Sequence, residues 1–145
     1  MSFVSITRLR VRAIRFLPAF AWQALRTERQ VRAAPGFRGG ALLPDRRFTF
    51  WTLTVWDSAE AMRAYITSGA HRVVMPKLMD WCDEASIVHW EQTGDARPDW
   101  AQADARMRAE GRPSKVRHPT PDHLAMTYAA PRTGGGTRLT PTHLR

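Results

Sequence analysis

The sequence predicts an α+β domain with the ferredoxin-like order βαββαβ and an antiparallel sheet. Three observations carry this. Residues 48–56, FTFWTLTVW, alternate with a period of two in β-branched and aromatic residues, the mark of a strand. That strand runs straight into apolar residues at helical spacing, Met62, Tyr65 and Ile66. The same strand–helix–strand order already occurs once ahead of it, in residues 3–43.

Each element follows from local chemistry. In residues 3–12, Val4 and Ile6 share one face of a strand, and Ser5, Thr7, Leu9 and Val11 share the other. Arg8, Arg10 and Arg12 continue the first face, which predicts that its far end is wet. Residues 16–32 read as a helix with Pro18 in the first turn, where a missing N–H is harmless. Its expected apolar stripe is Leu17, Phe20, Ala21, Ala24, Leu25 and Val31, with Trp22 on another side, placed to stack on an arginine. Pro35 and Gly36 end it. Residues 37–43 form a short strand in which Gly39 and Gly40 suggest a bulge. After the strand 48–56, Asp57 and Glu60 fit a capping box with Asp57 as N-cap. Ser68 and Gly69 interrupt the helix. His71, Val74, Leu78 and Trp81 then recur at helical spacing, with Pro76 predicting a kink or restart. Residues 85–90 close the unit as a strand.

In this arrangement the helices cover one sheet face. Both faces of the strand 48–56 carry bulk, so the other face is too apolar for water. That predicts a homodimer in which two sheets close into an α+β barrel, with a ligand space in each subunit. Residues 1–94 are expected to form this domain, and residues 95–145 a C-terminal unit that packs on it or on the partner. Asp99 and Gln102 cap a helix there, Trp100, Ala103 and Met107 line one side, and Gly111 ends it. The remainder, rich in Pro, Thr and Gly, reads as a mobile or extended tail.

The chain has 145 residues, enough for one core. A net charge of +9 raises the question of nucleic acid. The positive charge is nearly all arginine, Lys77 and Lys115 being the only lysines, which fits a GC-rich bacterial genome. No zinc-finger or RNA-binding motif supports a nucleic-acid module, so that reading is disfavoured. No apolar run is long enough to span a membrane, and charges interrupt any secretory signal. With Cys82 as its single cysteine, the chain is expected in the reducing cytoplasm.

His71 leads the candidates for chemistry: a neutral imidazole can ligate haem iron or act as a base near neutral pH. The competing reading is a helix-end histidine bonded to a carbonyl. His89, on the closing strand, either faces the same space or pairs with a neighbour. Trp51, Trp56, Phe50 and Tyr65 are candidates to line a flat apolar pocket, with Thr7 and Ser5 supplying polar contacts, although such aromatics also build cores and interfaces. Cys82, beside Asp80 and Asp83, is a poor thiolate. His118, Asp122 and His123 match no strong metal pattern, so no metal is expected. No nicotinamide, flavin or P-loop fingerprint occurs.

The element order and the phrase LTVWDSAEAMRAYITSGAHRVVMPKLMDW resemble the dimeric α+β barrel superfamily, which includes the antibiotic-biosynthesis-type monooxygenases. The phrase is most similar to the spheroidene-monooxygenase-like, uncharacterised branch. There a tryptophan ends the long strand and a short loop after a helix carries a histidine, ahead of a second helix and tryptophan. Here these positions are Trp56, residues 62–67, His71 and Trp81. The resemblance implies a monooxygenase-like enzyme acting on an apolar aromatic or polyene molecule. It implies two options for His71: a haem ligand, or a proton-transfer group in cofactor-free oxidation. A dimeric small-ligand-binding protein without catalysis is the alternative.

Overall fold

A computed structural model describes residues 1–144; Arg145, the last residue of the predicted C-terminal unit, lies outside the described residues. The central strand β1 (Ser2–Val11) pairs antiparallel with β3 (Thr49–Trp56) on one side and β4 (Cys82–Gln92) on the other. β2 (Phe37–Pro44) extends the sheet beyond β3. Helices α1 (Leu17–Ala33), α2 (Ala59–Ile66) and α3 (Gly69–Trp81) complete the βαββαβ order. The ferredoxin-like reading of the sequence thus holds.

Several local expectations hold with it. Pro18 sits in the first turn of α1. The β2–β3 register shifts between Phe37 and Gly39, which is the bulge. Gly40 is needed for a different reason: a Cβ there would lie 2.1 Å from the carbonyl oxygen of Leu53. Others are corrected. Ser58, not Asp57, caps α2, its hydroxyl accepting from the Ala61 N–H, while Asp57 pairs with Arg38. Pro76 does not restart the helix: α3 runs through it to Trp81. Pro76 lies on the exposed side, where water can meet the Arg72 carbonyl that it leaves without an amide partner. His71 lies in the first turn of α3, as the helical spacing of His71, Val74, Leu78 and Trp81 predicts. Trp22 is exposed, and among the described residues no arginine lies over it; arginines stack instead on Phe16, Trp90 and Tyr128.

The largest difference concerns the second face of the sheet. It is not bare. After Gly94 the chain forms α4 (Trp100–Glu110), opened by the expected Asp99–Gln102 capping box. Trp100, Ala103 and Met107 bury into one cluster with Val4, Ile6, Trp51 and Leu53. The tail then adds β5 (Arg112–Pro113) beside β4, a short α5 (Pro121–Ala125), and β6 (Thr137–Leu139) beside β2. The sheet therefore has six strands in the order β5-β4-β1-β3-β2-β6. The argument for a second copy loses its ground, because the chain itself covers the face on which it rested.

Candidate functional site

Strand alternation decides what faces α1, α2 and α3. The register pairs Ser5 with Thr54 and His89, and Thr7 with Thr52 and Ile87. These residues form the floor of a cavity of ≈280 Å³ between sheet and helices. Its roof comes from Phe20, Gln23 and Thr27 of α1, Met62 and Tyr65 of α2, and Val74 of α3. His71 and His89 both line it.

The corner between α2 and α3 places His71. Gly69 turns the chain with φ +56°, and a Cβ there would also press on the Gln30 amide at 3.1 Å. Ser68 does not cap α3, because its hydroxyl donates to the Ala64 carbonyl instead. Gln30, from α1, takes over. Its Oε1 accepts the His71 backbone N–H at 2.8 Å, and its Nε2 donates to the carbonyls of Tyr65 and Ser68 at 3.1 and 2.8 Å. One side chain thereby satisfies a free N–H at the start of α3 and locks the corner.

The ring of His71 is fixed as well. Nδ1 lies 3.2 Å from the Ile66 carbonyl oxygen. A carbonyl only accepts, so Nδ1 carries the proton and Nε2 of the neutral ring keeps its lone pair. Tyr65 packs edge-on against the ring at 4.9 Å. Both sequence readings of His71 therefore meet in one residue: it bonds a carbonyl at the helix end and it lines the cavity.

Burial lowers the His71 pKa below its ordinary value, against the opposing pull of the Ile66 carbonyl. His89 is lowered too, by burial first and then by Arg112 and Arg63. Burial pushes the Tyr65 hydroxyl upward. That hydroxyl donates to the Thr27 carbonyl at 3.3 Å.

These shifts have a consequence for stability. A histidine held neutral by the fold contributes stability that is complete above its unfolded pKa of about 6.5 and is lost as the pH falls through the depressed folded value. Urea midpoints should therefore drop between about pH 7.5 and 5.5, above the range in which most carboxylates titrate. The double variant His71→Asn, His89→Asn should show a flatter profile over that window. An unchanged slope would mean that neither ring is desolvated.

The other expected site residues divide. Thr7, Tyr65, His71 and His89 come together around the cavity. Trp51, Trp56 and Phe50 do not line it. Trp51 points to the opposite face and packs against Tyr128 at 5.8 Å. Trp56 is fully buried between Phe37 and Tyr65, at 5.3 Å from each. Phe50 stands behind Phe20 at 4.7 Å. Cys82 is buried and its thiol pushed up to about 12 by burial, with Asp83 adding to it. His123 is buried on the other face, where its Nδ1 accepts the Ala85 N–H at 3.3 Å, while His118 reaches Asp80 at 3.4 Å.

Two residues of the site escaped the sequence: Gln23, which lines the cavity, and Gln30, which locks the corner that carries His71. Gln30 and Gln23 are polar residues on the inward side of α1, and polarity alone assigns such residues to solvent. The signal for Gln30 was its seven-residue spacing from Gln23, which puts both on one side of a helix.

A haem was one option for this space. The lone pair on Nε2 suits an axial ligand. The volume does not suit the macrocycle: ≈280 Å³ lies below the range of about 300–1,000 Å³ that accepts drug-sized ligands, and a tetrapyrrole is larger than most of those. The residues present do not fit haem.

The fold is that of the antibiotic-biosynthesis monooxygenase proteins. A variant of SnoaB, a cofactor-independent oxygenase from Streptomyces nogalater, superposes with a TM-score of 0.53 at 17% identity, covering 64% of this chain and 94% of its own. An antibiotic biosynthesis monooxygenase superposes at 0.57 with 10% identity, covering 63% and 99%. Rv0793 from Mycobacterium tuberculosis gives 0.54 with 15% identity, covering 66% and 99%. No curated protein matches the chain. The family model described as Domain of unknown function (DUF3291) matches residues 7–129, most of the β-sheet and every helix lining the cavity included, and the chain belongs to that family.

Proposed function

We propose that this protein is a cofactor-free, monooxygenase-like enzyme for a compact aromatic molecule, with His71 as its proton acceptor. The observation that carries the reading is a neutral imidazole held in one tautomer by its Nδ1–H bond, on the wall of a cavity lined mainly by apolar side chains. The cavity's small volume favours a fused-ring aromatic over a long polyene. SnoaB, of the same fold, is described as a cofactor-independent oxygenase, and that description agrees with chemistry that needs only a base and a dry site.

The residues divide the work as follows. Nε2 of His71 takes a proton from a ring hydroxyl or from a CH₂ beside a ring carbonyl, leaving a delocalised carbanion or phenolate. The Nδ1–H bond to Ile66 holds the ring and stabilises the imidazolium that forms. Ser5, Thr7, Thr52 and Thr54 offer hydroxyls along the floor to orient the substrate's oxygens. Dioxygen is the oxidant and the substrate supplies the electrons. One oxygen atom ends in the ring as a carbonyl, and the other leaves as water with two hydrogens of the substrate: both from the CH₂ of a ring ketone, or one from the hydroxyl and one from the oxidised ring C–H of a phenol.

Oxygen uptake with small phenols and ring ketones tests this. The wild-type protein should consume dioxygen in step with product, and His71→Gln should lower the rate by at least about a hundredfold while keeping its fold. Undiminished turnover in that variant would remove His71 from the chemistry. A ligand that binds without any oxygen uptake would favour the non-catalytic alternative.

A further inference from the structure

We infer that Gln23 is a specificity-determining residue of this cavity and that it selects molecules carrying a second hydroxyl, at the end opposite the proton taken by His71. The inference rests on the proposed site and names its substrate class more narrowly.

Gln23 is only 8% exposed, lines the cavity, and its Oε1 has no hydrogen-bond partner among the described residues. An unsatisfied buried amide opposes folding. The surrounding helix makes the choice of residue more telling. Apolar Leu25 and Trp22 of α1 are exposed, while polar Gln23 takes the inward position between Phe20 and Thr27. A helix that turns leucine outward and an unpaired amide inward breaks the ordinary pattern, and such breaks gather at functional sites.

The position of Gln23 fixes what it can do. Gln30, which holds the backbone of His71, stands two helical turns further along α1, about 10 Å away by the helical rise. Gln23 therefore stands toward the end of the cavity away from the base, one turn of α1 beyond Phe20. A flat molecule reaching from one end to the other would present one polar group to His71 and one to Gln23. A hydroxyl both donates and accepts, so it satisfies either end of the amide.

Binding of two probes tests the inference without requiring turnover: β-naphthol, with one hydroxyl, and a naphthalenediol with its hydroxyls on opposite rings. The wild-type protein should bind the diol about tenfold more tightly. Gln23→Met should erase that preference and raise the urea midpoint, since it removes an unpaired amide at nearly constant volume. Gln23→Leu serves the same purpose should the methionine variant fail to fold. Equal affinities in the wild type, a preference that survives in the variant, or no binding of either probe would each overturn the inference. A preference for the diol without oxygen uptake would overturn the oxygenase reading and leave this one standing. Oxygen uptake with no preference would do the reverse.

Discussion

Glu84→Ala is expected to destabilise the protein by about 3–5 kcal/mol, the range for breaking a buried ion pair from one side. Glu84 and Arg8 are 6% and 7% exposed, on the sheet face away from the cavity. Oε1 of Glu84 accepts from Arg8 Nη1 at 2.9 Å, and Oε2 accepts from Arg10 at 3.4 Å and from the Thr120 hydroxyl at 3.0 Å. The Arg8 guanidinium lies over Tyr128 at 4.4 Å, and Arg108 approaches the same ring at 4.2 Å. Losing the carboxylate would leave Arg8 with a desolvated charge that cannot be neutralised by giving up a proton. Its Nε already lacks a partner among the described residues, and the Tyr128 ring alone would face the charge. The double variant Arg8→Met, Glu84→Leu should recover most of the loss, because it removes both charges together. Urea denaturation of the two singles and the double measures this. A single-variant loss under about 1 kcal/mol, as found for exposed pairs, would show that water reaches the pair.

The same network shows why part of the sequence was legible and part was not. Arg8, Arg10 and Arg12 read as the wet end of a strand because arginines usually sit in water. Their partners, Glu84, Asp83 and Asp80, lie some seventy residues away on β4 and α3, and no local pattern announces that pairing. What depends on neighbours in sequence was legible: the alternation of β3, the Asp99–Gln102 cap, the break at Ser68-Gly69, the burial of one side of α4. Alternation also separated Trp51 from Trp56 correctly. It could not say which face looked toward the helices, so both were expected at the pocket when one lies in the opposite core and the other behind Tyr65. His71, Tyr65, His89 and Thr7 do line the cavity, but phase only grouped them with their own faces; it left His89 open between the cavity and a neighbour. Gln23 did not emerge, because an inward amide contradicts the polarity rule by which helix phase was read.

The C-terminal segment supplies the second large effect: Ala103→Glu should abolish the cooperative native state. Ala103 is 0% exposed in the cluster that joins α4 to Ile6, Trp51 and Leu53. A glutamate there overfills a close-packed site and buries a carboxylate with no cation in the cluster to meet it. The penalty of several kcal/mol per unpaired ion is comparable with the whole stability of a small domain, about 5–15 kcal/mol. The chain can escape only by unfolding or by lifting α4 from the sheet. Lifting it uncovers Val4, Ile6, Trp51 and Leu53, a patch of the kind that drives self-association. Light scattering on a sizing column distinguishes these outcomes. The wild type should elute as a 16.5 kDa monomer, since its own helix occupies the face that a twin would need, and Ala103→Glu as larger species that bind a hydrophobic dye. Ala105→Glu, an exposed position on the same helix, should stay within about 0.5 kcal/mol of the wild type and remain monomeric. If Ala103→Glu folded as well as Ala105→Glu, α4 would not be the cover of that face, and a second copy would again be needed to explain why the sheet is apolar on both sides.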